Sequence, residues 1–432
     1  MPRAVVVGAG VAGIAAAISL VRRGWGVIVL EARPSVGGRA GAVWDPTAGE
    51  FVDCGQHVVI GAYRALFEVL QTLGTRDLLG SGNPLSFLFC DGSGSFLFEA
   101  GRLPGRFGFL AALWRIPGLS KGDRWRLFWA LWRLLSTEVP EMTVADFCRR
   151  SSQGQRAVQA FWQPLTLATL NAPPEEAALS LLRTVLREGF LRNAETARFF
   201  VPQQTLGCLL QPFGDWLSRH GGTLLLNTAV SGLEIERGAV RAVRTVRGER
   251  IPADAVILAL PPWSLVRVVP AVREVPEYAA FLKALRYSTI VTLYLWLREP
   301  VMSVPVYAFA HPDLHWAFRR PTRCGAESVA LVVSAAEHLR GLPRRTVVQR
   351  LVESFAAMVP SFALENALHW RLMVESRATV RLTPEVVRLR PSGKTPWRGL
   401  VLAGDWLQTG LPCTLEAAAR SGEAAAAAVE SD

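Results

Sequence analysis

The sequence predicts an α/β protein that combines a Rossmann-like domain, a mixed-sheet domain and an inserted helical lobe. Three observations lead to this fold class. The N-terminal residues follow strand, glycine-turn, helix and strand patterns, and the C-terminal residues repeat a strand, a glycine turn and a helix. Between them, residues 80–195 are rich in arginine, tryptophan and proline, without a repeating period. An α/β domain interrupted by a helical insertion is therefore expected.

The N-terminal unit contains the charge-free run AVVVGAGVAGIAAAISLV. A membrane span or an export signal would explain its length but not its glycines, Gly8, Gly10 and Gly13, which have G-x-G-x-x-G spacing. They separate a β-branched strand from an alanine-rich helix, and the next strand ends in Glu31. In such a unit the first glycine permits the turn, the second admits a pyrophosphate, and the third allows close packing. Glu31 is placed to accept hydrogen bonds from an adenosine ribose, so the unit predicts dinucleotide binding.

Composition limits the remaining possibilities. The chain has 432 residues, enough for two or three lobes, and 50% of them are hydrophobic. Its six cysteines are scattered without a C-x-x-C motif, which favours a reducing cytoplasm over a disulfide framework. No metal site is expected, because Pro312 separates His311 from His315 and no third ligand accompanies them. Motifs of hydrolases and metalloproteases are absent from the sequence.

The changes in sequence pattern predict three domains. Residues 1–75, 200–265 and 393–432 are expected to form the nucleotide-binding domain, residues 80–195 a helical substrate or membrane lobe, and residues 270–392 a substrate-binding domain. The expected elements are helices over 62–74, 203–219 and 345–358, a hairpin over 230–246, and strands over 223–227, 255–260, 289–297, 328–334 and 399–403.

Residues 101–135 form a basic, tryptophan-rich segment with seven cations and one acid. Trp125, Phe128, Trp129 and Trp132 have i, i+3, i+4, i+7 spacing, which places four aromatic side chains on one helical face. Such a face suits a helix that lies in a lipid headgroup layer, and it equally suits a helix packed on its own domain. The sequence leaves both interpretations open. A cytoplasmic protein is expected, which membrane contact would place at the inner face of the membrane, and contact with nucleic acid is not expected.

The C-terminal motif is LAGDWLQTGLPCTLEAAARSGEAAAAA. Asp405 follows a strand and can bind a ribityl or phosphate group, and the helix that begins near Leu415 can point its N-terminus at a flavin carbonyl. Together with the glycine turn before Glu31 and the Gly37-Gly38-Arg39 turn, this resembles the flavin-containing amine oxidase and phytoene desaturase superfamily from end to end. The resemblance implies FAD as the cofactor and an FAD-binding Rossmann-like domain of the glutathione-reductase type.

A more specific signature runs through DCGQHVVIGAYR, residues 53–64, with Arg377-Ala378-Thr379 and the C-terminal GDW and TGLP sequences. It is similar to the hydroxysqualene dehydroxylases of bacterial hopanoid synthesis, although Cys54 stands where that family is expected to have asparagine. The resemblance implies reductive removal of a hydroxyl group from a hydrophobic isoprenoid, hydroxysqualene, to give squalene. An oxidative carotenoid or phytoene-type desaturase is an alternative. So is an amine oxidase, in which Trp397 and Trp406 would form an aromatic cage.

The resemblance also implies the site residues. Cofactor contacts are expected at Gly8, Gly10, Ala12, Gly13, Glu31, Ala32, Gly38, Arg39, Gly55, Gln56, His57, Val230, Gly404, Asp405 and Leu415. His57 is the candidate proton donor for loss of the hydroxyl group, with Glu375 as second choice; alternatively, His57 only positions the flavin or the backbone. NAD(P)H is the reductant expected in this family, although the sequence has no second G-x-G-x-x-G motif. The oligomeric state is not predicted.

Overall fold

The computed structural model describes residues 1–80, 82–92, 94–100, 105–202 and 204–429. Its strands are β1 (Arg3–Val7), β2 (Gly26–Leu30), β3 (Ala42–Asp45), β4 (Glu50–Asp53), β5 (Val59–Ile60), β6 (Ser86–Asp91), β7 (Gly94–Glu99), β8 (Phe199–Phe200), β9 (Thr223–Leu225), β10 (Val230–Glu236), β11 (Ala239–Thr245), β12 (Arg250–Pro252), β13 (Ala255–Leu258), β14 (Tyr287–Leu297), β15 (Val306–His311), β16 (Leu314–Arg320), β17 (Glu327–Val333), β18 (Ala367–Val380) and β19 (Leu400–Leu402).

The α-helices are α1 (Val11–Arg22), α2 (Arg64–Thr72), α3 (Gly105–Trp114), α4 (Lys121–Ser136), α5 (Val144–Arg150), α6 (Gln155–Ala157), α7 (Gln163–Leu170), α8 (Leu179–Thr184), α9 (Leu206–Leu210), α10 (Phe213–Arg219), α11 (Pro262–Val268), α12 (Pro276–Ala284), α13 (Arg344–Met358), α14 (Pro384–Leu389) and α15 (Leu415–Ala428). Short π-helical segments follow α6 and α8.

A five-stranded parallel sheet forms the first layer, in the order β19-β13-β1-β2-β9. Its strands come from three separated stretches of the chain, at the N-terminus, in the middle and at the C-terminus. β1 pairs with both β2 and β13, so the first strand lies in the centre of the sheet. Because all the strands are parallel, the loops that follow β1, β2, β13 and β19 emerge at the same edge, where ligands bind in open α/β sheets.

Helices α1 and α15 pack against each other beside this sheet, and both are rich in alanine. A Cβ atom on Gly422 would lie 2.1 Å from the carbonyl oxygen of Ala12, so only glycine permits this approach. Ser421, next to it, accepts a hydrogen bond from the backbone N–H of Gly404 at 2.8 Å. The two ends of the chain are thereby held together at the edge of the parallel sheet.

The second sheet has seven strands in the order β18-β14-β17-β16-β15-β6-β7 and is mixed, because β15 and β6 pair in parallel. The hairpin β6–β7 belongs to this sheet, so the helical interpretation of residues 80–195 is wrong for residues 86–99. Phe87 and Phe89 alternate along β6, and Phe96 and Phe98 alternate along β7. This period of two is typical of strands, and the arginine and tryptophan content of the surrounding region obscured it.

The predicted single helix over 203–219 is also wrong, because the structure has α9 and α10 with a break at Pro212. Proline lacks the N–H that a continuous helix needs, so α10 starts immediately after it. Gln203 lies outside the described residues, as does Arg102 with residues 101–104. The hairpin β10–β11, the strand β13 and helix α13 occupy the positions that the sequence predicts.

Helices α3 to α8 form the lobe above the mixed sheet. Leu127, Leu131 and Leu134 of α4 are buried, and they lie in one hydrophobic cluster with residues of α3, α5, α7 and α8. The tryptophans of α4 lie on its other face and are exposed. Within the part of the chain that the structure describes, each helix is too short or too polar to span a bilayer.

Candidate cofactor and substrate site

A cavity of about 630 Å³ extends from the carboxyl edge of the parallel sheet to the mixed sheet and the helical lobe. At one end its lining comes from the loops after β1, β2, β13 and β19. Its other end is lined by side chains of β6, β7, β16 and the helices of the lobe. Glycines, charged groups and backbone amides surround the first end, whereas phenylalanines dominate the second. A ligand that fills the cavity would therefore be polar at one end and apolar at the other.

The glycine turn after β1 gives each of its glycines a distinct role. Gly8 has φ +104°, a left-handed conformation that favours glycine, and a Cβ there would lie 2.6 Å from the oxygen of Ala259. A Cβ on Gly13 would lie 1.8 Å from the oxygen of Gly8, so helix and turn touch there. A Cβ on Gly10 would meet nothing within 4 Å. The open space beside Gly10, at the N-terminus of α1, is where a pyrophosphate can approach backbone N–H groups.

Glu31 follows β2 and is 8% exposed. One of its carboxylate oxygens accepts the N–H of Ala9 at 2.8 Å, and the other accepts the N–H of Arg33 at 2.9 Å. These bonds fix the carboxylate at the cavity wall, and each oxygen keeps a lone pair for a further donor. The arrangement fits the expected role of Glu31 as acceptor for two ribose hydroxyls.

Asp405 follows β19 and is held by two arginines. Its Oδ1 lies 2.5 Å from Nη2 of Arg39, whose Nη1 donates to the carbonyl of Ala378 at 2.8 Å. Arg390, 4% exposed, donates to the carbonyls of Asp405, Trp406 and Leu411 at 2.7, 3.2 and 2.6 Å. The loop after β19 is thus built around a buried guanidinium. The sequence does not predict this role for Arg390, because its partners are backbone carbonyls, which every residue has.

Helix α15 begins at Leu415 beside the cavity. The hydroxyl of Thr414 accepts the N–H of Ala417 and caps the helix. Glu416 is 2% exposed, and its two oxygens accept the N–H groups of Ala65 and Leu66 in the first turn of α2 at 3.2 and 3.1 Å. The N-terminus of α15 is therefore fixed against α2 and presents its positive end to the cavity, as the sequence predicts for a flavin carbonyl.

Gln56 and His57 lie on the irregular segment after β4, and both line the cavity. Gln56 Oε1 and His57 Nε2 are buried, and neither has a hydrogen-bond partner among the residues that the structure describes. Burial lowers the pKa of His57 to about 4, and the charge of Arg39 acts in the same direction, against a hydrogen bond between the ring and the Arg39 backbone. The imidazole is therefore neutral at pH 7. Two orphaned polar atoms beside the glycine turns are what a hydrogen-bonding cofactor would satisfy.

Glu375 lies on β18 and lines the same cavity. Its Oε1 accepts the N–H of Arg377 at 3.1 Å. Ala378 and Thr379, from the Arg377-Ala378-Thr379 sequence, follow on the same strand. The carbonyl of Ala378 accepts a hydrogen bond from the side chain of Arg39, and the hydroxyl of Thr379 accepts one from Asn171 at 2.9 Å. Asn171 also accepts the N–H of Ala335 at 2.8 Å, so it joins the lobe to the mixed sheet. Asn171 could not be selected from the sequence, because its neighbours along the chain give no indication of this role.

The apolar end of the cavity is lined by phenylalanines from separate elements. Phe109 of α3 stacks on Phe190 with ring centres 5.6 Å apart. Phe109 also contacts Phe98 and Phe161 edge-on, with ring centres 6.1 and 6.2 Å apart. All four side chains line the cavity, and all are at most 6% exposed. They converge only in the folded chain, so sequence spacing could not identify them as a set.

Two cysteines also line the cavity, Cys54 and Cys413. Burial raises the pKa of the Cys413 thiol to about 12, and the nearby carboxylate of Asp405 adds to the effect. The thiol therefore stays protonated at neutral pH, which fits a small packed residue better than a reactive one.

Most of the predicted cofactor-binding residues line this one cavity. Gly13 packs against Gly8 instead, and Val230, at the start of β10, is not among the lining residues. Of the two tryptophans proposed for an amine oxidase cage, Trp406 is among the residues that line the cavity. Trp406 is 2% exposed and stacks on Phe281 at 5.6 Å, while Trp397 does not line the cavity. The two tryptophans therefore do not face the cavity as a pair.

Comparisons with known proteins extend over nearly the whole chain. The sequence profile described as flavin containing amine oxidoreductase matches residues 11–430. Hydroxysqualene dehydroxylase of Rhodopseudomonas palustris is 30% identical over 430 residues, 98% of this chain and 96% of the relative. The enzyme of the same name from Sinorhizobium fredii is 29% identical over 440 residues, with 99% and 98% coverage. A 15-cis-phytoene desaturase of Narcissus pseudonarcissus is 23% identical over 469 residues, 99% of this chain and 79% of the relative.

Solved structures share the architecture. An oxidoreductase from Methanosarcina mazei superposes with a TM-score of 0.76 at 16% identity over 100% of both chains. A triple mutant of putrescine oxidase gives 0.76 at 15% identity over 100% of this chain and 99% of the other. These likenesses concern the fold, and with the family profile they confirm the predicted α/β class with a Rossmann-like, flavin-binding domain.

Proposed function

Because the chain belongs to the flavin-containing amine oxidoreductase family, and within it to the hydroxysqualene dehydroxylases, we propose that it reductively removes the hydroxyl group of hydroxysqualene and releases squalene. The protein is an FAD-dependent oxidoreductase. The residues at the polar end of the cavity fit FAD, because the space beside Gly10 admits a pyrophosphate and Glu31 offers two fixed acceptors. Gln56 and His57 add the orphaned polar atoms described above.

The main support for the proposal is that the polar end and the apolar end belong to one continuous cavity. The same space that begins at the glycine turns ends among phenylalanines and other apolar side chains. A charged or strongly polar substrate would lose its hydration there without gaining partners. An isoprenoid chain, by contrast, exchanges water for apolar contacts. The one polar group of hydroxysqualene is its hydroxyl, which the polar end of the cavity can accommodate.

In the proposed reaction the C–O bond of the substrate breaks and a C–H bond forms at the same carbon. FAD, when bound in its reduced form, supplies the hydride, and a proton joins the departing hydroxide to give water. The chain's own contribution is to hold the reacting carbon near the flavin end, to exclude water from it and to provide the proton. The phenylalanine wall serves the first two of these tasks.

The reaction needs a group in the cavity that supplies a proton. His57 is neutral at pH 7 and carries a single ring proton. Because the hydrogen bond to the Arg39 backbone raises the pKa of the ring, the ring is its donor, which leaves Nε2 as an acceptor. This supports the positioning role for His57. Glu375, the second choice from the sequence, lines the cavity and would then receive protons from solvent and pass them to the departing hydroxide.

Each turnover oxidises the flavin, so two electrons must enter from a reductant. We propose NAD(P)H in this role. Anaerobic mixing of the FAD-loaded protein with NADH or NADPH should bleach the flavin absorbance within the turnover time. Reduction by dithionite but by neither nucleotide would assign the role to a separate reductase.

Product analysis under anaerobic conditions tests the proposed function. Protein with FAD and excess reductant should convert hydroxysqualene to squalene with one equivalent of reductant consumed per product. A desaturase, the activity named for the relative from Narcissus, would instead reduce its oxidised flavin when phytoene is added and would consume no reductant. Flavin reduction by phytoene, without turnover of hydroxysqualene, would overturn the proposal.

A further inference from the structure

We infer that the aromatic surface of α3 and α4 docks on an anionic lipid bilayer. This aromatic surface consists of five exposed side chains, whose exposed fractions are 58% for Phe107, 39% for Trp114, 67% for Trp125, 61% for Trp129 and 53% for Trp132. Single exposed apolar residues are normal on protein surfaces, but five large aromatics on two adjoining helices are not.

The side chains form one surface rather than scattered points. Trp114 of α3 meets Trp125 and Phe128 of α4 edge-on, with ring centres 5.5 and 5.4 Å apart. Trp129 and Trp132 stack at 4.8 Å. The two helices are thus linked through their exposed aromatics. Tryptophan suits the boundary between headgroups and acyl chains, where one part of the indole is apolar and its N–H is hydrated.

The exposure of these tryptophans does not result from a loosely packed helix. Leu127, Leu131 and Leu134 on the other face of α4 are at most 2% exposed. The side chain of Ser120 accepts the N–H of Asp123 and caps the helix. α4 is therefore held firmly by its leucine face. The sequence left open whether the tryptophan face packs on its own domain or contacts a membrane. The leucine face is the one that packs on the lobe, which leaves the tryptophan face available for a membrane.

The exposed charges around the aromatic surface favour a bilayer with anionic headgroups. Arg115, Lys121, Arg126 and Arg133 are exposed on or beside the same helices. Within α3 and α4 the acid is Asp123, which is paired with Arg126 at 3.0 Å; Glu138, two residues after α4, is also exposed. A basic rim around an apolar patch complements a bilayer that carries anionic headgroups. It does not complement a neutral bilayer, whose headgroups offer no net attraction to cations.

The aromatic surface also lies close to the cavity in which the substrate is proposed to bind, and this part of the inference rests on the proposed function. Phe107 and Phe109 lie on the same helix, α3; Phe107 is exposed, whereas Phe109 is 3% exposed and lines the cavity. The aromatic surface and the phenylalanine wall are therefore separated by the thickness of one helix, about 10 Å. An isoprenoid that enters beside α3 would pass from the bilayer to the cavity over this short distance.

The test compares vesicle binding of the FAD-loaded protein and of a triple variant with Trp125, Trp129 and Trp132 replaced by serine. Wild type should sediment with phosphatidylglycerol-containing vesicles and much less with pure phosphatidylcholine. The triple variant should lose at least about tenfold in affinity for each tryptophan removed, since each forfeits a buried aromatic side chain. Lys121→Gln with Arg133→Gln should cost about fivefold per cation on anionic vesicles only.

Trp44→Ser is the matched control, because Trp44 is 50% exposed on the β3–β4 hairpin, far along the chain from α4. It should bind vesicles like the wild type. FAD content and the thermal unfolding midpoint report whether each variant is folded. Equal vesicle binding by wild type and triple variant, or failure of the wild type to bind either vesicle, would overturn the inference.

The substrate route has a separate readout. The triple variant should show a raised KM for hydroxysqualene supplied in anionic vesicles and an unchanged KM in detergent micelles. A KM raised equally in both would overturn the proposed route. Vesicle binding needs no substrate, so absence of dehydroxylation with intact binding would contradict the proposed function while leaving the docking surface in place.

Discussion

Replacing Gly10 and Gly13 separately by alanine should separate nucleotide binding from folding. A Cβ on Gly13 would lie 1.8 Å from a backbone oxygen that no side-chain movement can displace. We expect Gly13→Ala to lower the free energy of unfolding of the FAD-free protein by about 3 kcal/mol, the upper end of the usual cost of overpacking, because the backbone oxygen cannot move away. Gly10 has φ −75° and ψ 178°, which alanine adopts, and its Cβ would meet nothing within 4 Å. Gly10→Ala should therefore change the same quantity by less than about 1 kcal/mol.

At Gly10, in contrast, the substitution should weaken FAD binding although it hardly changes the free energy of unfolding. The added methyl group occupies the space through which a pyrophosphate approaches α1, so we expect the Kd for FAD to rise at least tenfold, or about 1.4 kcal/mol. At an FAD concentration 100 times the wild-type Kd, ligand stabilisation would then fall from about 2.7 to about 1.4 kcal/mol. Urea unfolding without FAD measures the free energy of unfolding of the FAD-free protein, and its increase in the presence of FAD measures the ligand stabilisation. Wild-type FAD affinity in Gly10→Ala, or wild-type stability in FAD-free Gly13→Ala, would refute the assignment of roles to the two glycines.

Three further predictions concern other sites. Burial raises the pKa of Asp53 to about 7, so the folded state takes up a proton between about pH 4 and pH 7, and the free energy of unfolding falls as pH rises through that window. Asp53→Asn should remove this dependence and stabilise the protein at pH 8 but not at pH 4, as measured by urea unfolding; equal slopes with pH in both proteins would contradict it. His57→Gln should slow single-turnover dehydroxylation by less than about tenfold, whereas removal of a true general acid costs roughly 100-fold or more. The triple serine variant of the α4 tryptophans should lose binding to anionic vesicles and keep its FAD, with unchanged binding as the contrary result.

The parts of the fold that sequence predicts well are those whose geometry is local. The unit from β1 to Glu31 is recognisable because its glycines, its helix and its acidic residue have fixed spacings along the chain. The hairpin β10–β11 is predicted for the same reason. The roles of Gly8 and Gly13 follow from backbone geometry that neighbouring residues impose, and the structure places both where those roles require.

The parts that sequence misses depend on distant residues. Phe98, Phe109, Phe161 and Phe190 come from four separate elements, and only the packing of the lobe on the mixed sheet brings them together. Arg390 is selected by carbonyls of the loop that follows β19, and nothing in its own neighbourhood marks it. The error at β6–β7 has a different cause. The alternation of phenylalanines is present in the sequence, but composition averaged over a long window conceals a period of two.

The two strongest sequence signals, at opposite ends of the chain, are physically one site. α1 and α15 approach so closely that a single methyl group on Gly422 would collide with Ala12, and this contact explains the small residues in both helices. Because Gly404 is bonded to Ser421 of α15, the position of Asp405 relative to the β1 turn depends on the same contact. A cofactor that reaches from Gly10 to Leu415 can therefore bind only after both ends of the chain have folded together, which makes flavin retention a direct report on the packing of α1 against α15.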